Sequence, residues 1–162
     1  MKAKQLVVTK KNVDLDIAEV TLLSAKEYMT AKKYIPARHE WGFWLRSFDS
    51  GDDRKVGIVN NYGTLSLVYA QYENGGVSPA LRIQNLRSFN PIPGEKAELA
   101  GYTWTVIADD LLLCDDVVGY TRFRKDRKAK DANDYEASDI KKWLEAWAAE
   151  NGIVVNVEPA TA

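Results

Sequence analysis

The sequence is poor in the residues that most often carry chemistry. It holds one cysteine, Cys114, and one histidine, His39. A single thiol excludes an intrachain disulfide framework and fits a reducing compartment. A single imidazole excludes any site built on two. Neither sign of charge dominates: 22 Lys and Arg stand against 23 Asp and Glu, for a net charge of -1. That balance argues against a dedicated nucleic-acid binder, though it leaves room for a local basic patch. No apolar window approaches the ~18 residues of a transmembrane helix. The opening Met-Lys-Ala-Lys-Gln-Leu-Val-Val has too short an apolar stretch for a signal peptide. These absences predict a cytoplasmic protein, or one that leaves the cell by lysis or with a particle.

The signatures of catalysis are missing as well. There is no Gly-x-Ser-x-Gly elbow, no Walker loop and no Gly-x-Gly-x-x-Gly. His39 could act as a base, but no Ser or Cys stands in a diagnostic context for it. Cys114 closes the apolar run 111–114 and reads as a small buried hydrophobe. Asp109-Asp110 and Asp115-Asp116 bracket that run as turns. Asp49, Asp52 and Asp53 surround Gly51, yet the Asp-x-Asp-x-Asp-Gly order of an EF-hand loop is absent. A solvated acidic turn accounts for them. The expectation is a protein that is not an enzyme and needs neither metal nor cofactor.

What is present suits one soluble globular domain. The 162 residues are 46% hydrophobic and 28% charged, an ordinary balance. A chain of this length buries about two-thirds of its unfolded surface and needs no staples. The pattern divides into half-modules over about 17–84 and 97–157, joined by an irregular connection, 85–96, that carries Pro91, Pro93 and Gly94.

In the first half, residues 17–23 read as a strand with Val20 and Leu22 on one side. Ser24 followed by Glu27 is a capping box opening a helix that stops before Pro36. Its narrow stripe, Ala25, Tyr28 and Met29, predicts a surface helix. Residues 41–46 read as a strand with Trp41, Phe43 and Leu45 on one face, and Gly42 permits a bulge or close packing. Residues 56–60 and 64–70 flank Asn61-Tyr62-Gly63 as a hairpin. Asn74-Gly75-Gly76 is a turn, and 77–83 a strand that Pro79 places at an edge or bulge.

In the second half, the alternation of Tyr102, Trp104 and Val106 with Thr103, Thr105 and Ile107 marks a strand. It turns through Asp109-Asp110 into 111–114. Ile140, Trp143, Leu144 and Trp147 recur at helical spacing. Ser138 is placed as N-cap and Gly152 for the left-handed C-terminal position. That stripe is expected to pack on the face bearing Trp104 and Val106. Residues 153–157 read as a returning strand.

Two segments together carry a resemblance. One is Trp44-Leu45-Arg46-Ser47, followed about thirty residues later by Val77-Ser78-Pro79-Ala80-Leu81. The other is the 101–107 strand, then Asn133-Asp134-Tyr135-Glu136 and the 138–144 helix start. They resemble a family of small modules of unknown function, common in gut Firmicutes and their phages, which are similar to C-type-lectin-like domains. The family signature is a Trp-Trp-Leu-Arg-Ser-Pro strand, a divergent stretch and a Val-Arg-Pro-Ala-Leu strand. This chain departs in Phe48, where Pro is usual, and in Ser78, where Arg is usual. Its halves also stand in the opposite order, as in a circular permutation.

The resemblance implies an α+β, C-type-lectin-like fold: a twisted, mainly antiparallel sheet with two helices. It also implies a scaffold displaying a tolerant surface. Calcium-dependent sugar binding is not implied, because the Glu-Pro-Asn, Gln-Pro-Asp and Trp-Asn-Asp motifs are absent. Formylglycine-generating enzymes share a related fold, but their chemistry uses paired cysteines.

The expected function is non-enzymatic binding of a macromolecular or cell-surface target, protein or glycan, through residues 48–76. No membrane contact is expected, and nucleic acid is disfavoured. Tyr is stiff and amphipathic, and Asn, Asp and Gly adapt around it. Tyr62, Tyr69, Tyr72, Asn61, Asn74, Asp52 and Arg54 are therefore the candidate contact residues. Arg46 is assigned to holding its loop. The run Arg122, Arg124, Lys125, Arg127, Lys128 and Lys130 reads as a solvated loop, with a patch for an acidic partner as the rival. The alternative functions are a structural or decorating protein of a phage particle, and a small prophage-encoded inhibitor of a host protein.

Overall fold

A computed structural model describes residues 15–35, 42–47, 51–126 and 128–156. The expectations that rest on His39, Trp41, Phe48, Asp49, Arg127 and Val157 lie outside the described residues.

Strand β1 (Ile17–Thr21) leads into α1 (Ala25–Ala31), which one 3-10 turn, Lys32–Tyr34, continues. The capping box is formed. Ser24 Oγ accepts the Glu27 N–H at 3.0 Å, and Glu27 Oε1 accepts the Ser24 N–H at 2.9 Å. The helix buries Tyr28 and Ala31, while Met29, expected in the apolar stripe, is exposed. The strands that follow are β2 (Phe43–Trp44), β3 (Lys55–Val59), β4 (Leu65–Tyr69), β5 (Gly76–Val77) and β6 (Ala80–Ile83). After them come β7 (Lys96–Leu99), β8 (Tyr102–Ala108), β9 (Leu111–Cys114) and β10 (Gly119–Tyr120), then α2 (Asp139–Glu150).

The protein is α+β; the described residues form two α-helices and strands that pair antiparallel except at β2–β5. The strands form two five-stranded sheets, ordered β1-β6-β9-β8-β7 and β10-β5-β2-β3-β4, rather than one. The division falls at Ser78-Pro79. Residues 77–83 were expected as one strand, but Val77 pairs with Gly119 in the second sheet, while 80–83 lie between β1 and β9 in the first. Proline has no N–H to give a ladder. Pro79 therefore sits where the chain crosses between sheets, and not at a sheet edge. Its carbonyl accepts the Cys114 N–H at 2.8 Å, and Ser78 Oγ donates to the Cys114 carbonyl at 3.1 Å.

Two more boundaries move. The connection 85–96 contains a 3-10 turn, Leu86–Phe89, and its last residue, Lys96, already pairs with Thr105. Residues 153–156 form no strand. Their tie to β1 is the Asn156 N–H donating to the Ile17 carbonyl at 2.6 Å.

Helix α2 follows its sequence pattern. Ser138 Oγ accepts the Lys141 N–H at 3.1 Å, and Gly152 is left-handed at φ 72. Ile140, Leu144, Trp147 and Ala148 are buried. The Trp147 ring lies 5.5 Å from Tyr102 and 6.4 Å from Trp104, so the helix covers the face expected. Trp143 is only partly buried, against Gly119, where a Cβ would come within 2.6 Å of its ring. One hydrophobic cluster joins both halves of the chain, with Trp44, Trp104 and Phe123 fully enclosed in it.

Candidate binding surface

The β3–β4 hairpin is built on Asn60. Its Oδ1 accepts the N–H groups of Tyr62 at 2.9 Å and Thr64 at 3.1 Å, and its Nδ2 donates to Thr64 Oγ1 at 2.7 Å and Ser66 Oγ at 3.0 Å. This is an Asx-type closure of the turn. Gly63 takes φ 83, a conformation that costs glycine nothing. Its carbonyl accepts the hydroxyl of buried Tyr28 at 2.7 Å, which ties the turn to α1. Tyr62 thus projects from a braced turn with 82% of its surface exposed. Asn61 beside it is exposed too.

Along β4 the side chains alternate. Leu65, Leu67 and Tyr69 share one face; Ser66 and Val68 share the other, and Val68 packs on the core. Tyr69 is half exposed at the far end of the strand. The ammonium of Lys55, its partner across the ladder, lies 5.2 Å from the ring centre, and the Arg54 guanidinium lies 5.8 Å away. Both are within cation–π range. Arg54 is itself held by Asp52 through two contacts of 3.1 Å. Hydrogen bonds from the Arg54 side chain and backbone hold the Asp52 carboxyl down at about 2.

The structure therefore gathers Asp52, Arg54 and Tyr69 at one end of the hairpin. Asn61 and Tyr62 lie at the other end, roughly 20 Å away at strand spacing. Tyr72 belongs to neither group: it is partly buried, with its ring edge-on to Trp44 at 6.1 Å. Asn74 is exposed in the turn before β5, and Gly75 after it touches the Trp44 ring. Sequence reasoning missed Lys55 and Leu67. The period-two spacing of Leu67 with Tyr69 signalled one, and hairpin register the other.

The basic run proves to be a neighbour of Tyr69. Arg124 N–H donates to the Ala70 carbonyl at 3.0 Å, Gln71 Nε2 to the Asp126 carbonyl at 3.2 Å, and Asn133 N–H to the Asp53 carbonyl at 3.0 Å. Buried Phe123 anchors the segment against Trp44 at 5.6 Å and Tyr135 at 6.2 Å. Arg122 pairs with Glu73 at 3.1 Å, while Lys125, Lys128 and Lys130 are exposed.

Elsewhere the charged groups brace the fold. Arg46 donates to the Leu22 carbonyl at 2.8 Å and to Glu27 at 2.6 Å. Arg82 reaches Glu27 at 2.9 Å, Asp110 at 3.1 Å and Glu19 at 3.4 Å. Burial alone would raise the Glu27 pKa, but hydrogen bonds from Arg46, the Ser24 backbone and Arg82 outweigh it and bring the value to about 2. The shifted carboxyl groups, Glu27 and Asp52, are both shifted toward permanent charge, which suits bracing better than proton transfer. Among the described residues, no group of three or more His, Cys, Asp or Glu could hold a metal ion, and no helix is long and apolar enough to cross a membrane. A groove of about 410 Å³ lies between β1 and α2, lined by Val20, Ala148, Ile153 and Val155 with Glu19, Lys141 and Glu145 around it.

The chain matches no protein-family model, no curated protein and no solved structure at a significant level.

Proposed function

We propose that this protein is a non-enzymatic binding module of C-type-lectin-like type that recognises a protein or surface-glycan target through the β3–β4 hairpin. The observation that carries the reading is Tyr69. It is an exposed aromatic on a rigid strand, with Arg54 and Lys55 at its ring. Interface energy concentrates in a few aromatic and Arg residues of this kind. Tyr62, on its braced turn, supplies a second contact point. The module works without calcium or a cofactor and acts in the cytoplasm or on a phage particle.

The test is capture from lysate and surface fractions with the wild-type chain and with Tyr69→Ala and Tyr62→Ala. A target retained by the wild type and lost with either variant supports the reading. If neutralising Arg124 and Lys125 abolishes capture while both Tyr variants retain it, the basic segment is the recognition element instead. A second reading is a component of a phage particle, favoured by the half-exposed apolar face of β4, which suits assembly between copies.

A further inference from the structure

An asparagine side chain can close on the backbone nitrogen of the next residue. Glycine in that next position leaves the nitrogen unshielded by a β-carbon. The chain has two such pairs, Asn74-Gly75 and Asn151-Gly152. The fold treats them in opposite ways.

Asn151 closes α2. Its N–H donates to the Trp147 and Ala148 carbonyls, both at 3.1 Å, and its Nδ2 donates to the Trp147 carbonyl at 2.8 Å. The Gly152 N–H donates to the Ala149 carbonyl at 3.2 Å, and the Ile153 N–H to the Ala148 carbonyl at 2.9 Å. These bonds satisfy carbonyls that a helix end would otherwise leave orphaned. The carboxamide nitrogen of Asn151 and the backbone nitrogen after it are thus both engaged.

Asn74 is exposed in the turn before β5. The frame around that turn is fixed. Arg122 reaches Glu73 at 3.1 Å, the Thr121 N–H donates to the Gly75 carbonyl at 3.3 Å, and the Gly76 N–H donates to the Gly42 carbonyl at 3.0 Å. Within the frame, neither the Asn74 carboxamide nor the Gly75 N–H forms a hydrogen bond among the described residues. The Trp44 ring packs where a Gly75 side chain would stand.

We infer that Asn74-Gly75 is a self-modification site, where the folded protein deamidates spontaneously while Asn151-Gly152 is preserved. The Gly75 nitrogen loses its proton to solvent base and attacks Asn74 Cγ. A new N–C bond forms, the Cγ–Nδ2 bond breaks, and Nδ2 leaves as ammonia with a proton taken from water. The succinimide ring is built from Asn74 atoms and the Gly75 nitrogen alone, so the packed Gly75 α-carbon stays outside it. Water then opens the ring at one of its two C–N bonds, giving aspartate or isoaspartate at position 74. Nothing is oxidised or reduced. The N–H lost at Gly75 made no bond. The same reaction at Asn151 would break the Gly152 tie to Ala149 and the Nδ2 tie to Trp147, which raises its barrier. The product carries a carboxylate, charged at neutral pH, next to exposed Glu73. In the isoaspartyl form the backbone also runs through Cβ and is longer beside the Gly75–Trp44 contact. The reaction needs solvent and no target, so it does not rest on the recognition reading.

The test ages the folded full chain in mildly alkaline buffer, in parallel with the chain unfolded in urea. Both are mapped by mass spectrometry, with protein isoaspartyl methyltransferase marking isoaspartate. In the folded chain, conversion at Asn74 should outpace conversion at Asn151 by at least about tenfold, because only the second site must break hydrogen bonds. In urea the two sites should react alike. Ion exchange gives a second readout: an acidic form should accumulate in the aged wild type and not in Asn74→Gln, whose longer side chain closes a ring less readily. Equal rates in the folded chain, faster conversion at Asn151, or an Asn74 that stays intact while both sites react in urea would overturn the inference. So would a difference that persists unchanged in urea, or an acidic form undiminished in Asn74→Gln.

Discussion

Strands β9 and β4 have similar composition and opposite fates. β9 is Leu-Leu-Leu-Cys, and all four residues are buried. β4 is Leu-Ser-Leu-Val-Tyr, with Leu67 and Tyr69 exposed and the rest half-buried. The difference is in their neighbours. β9 is hydrogen-bonded on both sides, to β6 and β8, and has hydrophobic clusters on both faces. Among the described residues β4 pairs on one side only, and its outer face is covered only near Leu65. A short apolar run is thus material for a core or for a contact surface, and its position in the sheet decides which.

The comparison breaks most visibly on the buried side. Trp147 is 7% exposed over Tyr102 and Trp104. Trp147→Ala should cost about 3–5 kcal/mol in urea unfolding. A loss below about 1 kcal/mol would mean that α2 does not close the first sheet.

Gly75→Ala should come next. A Cβ there would meet the Trp44 ring, including Cζ2 at 2.7 Å, and that ring is fixed by its Nε1–H donating to the Thr121 carbonyl at 2.8 Å. Overpacking of this kind costs about 1–3 kcal/mol. A change within about 0.5 kcal/mol would show that the loop yields freely.

The ionic brace ranks third. With Glu27 at about 2 instead of 4.5, its stabilisation is complete above the unfolded value and is lost as pH falls toward about 2. The shift corresponds to about 2 kcal/mol after allowance for partial exposure. Glu27→Gln should lower stability by about that amount at neutral pH and flatten the acid limb of the urea midpoint. An unchanged limb would place the acid sensitivity elsewhere.

The smallest effect belongs to the exposed surface. Tyr62→Ala should alter stability by no more than about 0.5 kcal/mol, yet weaken target binding by about 1–3 kcal/mol. If unfolding shows a loss of several kcal/mol, Tyr62 is part of the packing, and the contrast between the two strands dissolves at that point.

Much of this protein was settled by local pattern. The Ser24–Glu27 capping box, the Ser138 cap, the α2 stripe and the β3–β4 and β8–β9 hairpins were legible because each depends on residues a few positions apart; the β7–β8 hairpin was not. The β9 run also announced its burial, since four apolar residues without alternation suit a strand covered on both faces. Tertiary structure alone decided the rest. Pro79 marked a break, but only the competing ladders of β5 and β6 show that the chain changes sheets there. Tyr62, Tyr69 and Tyr72 looked equivalent in sequence; Trp44 half-buried the last of them, while Tyr62 on its turn and Tyr69 at the end of β4 stay exposed. Arg124 lies more than fifty positions from Ala70 along the chain, yet its N–H bonds that carbonyl and brings the basic segment beside Tyr69. Such contacts carry no signature in periodicity or spacing. They arise from the closure of long loops, whose cost grows only slowly with length and is offset by packing shared across the whole core.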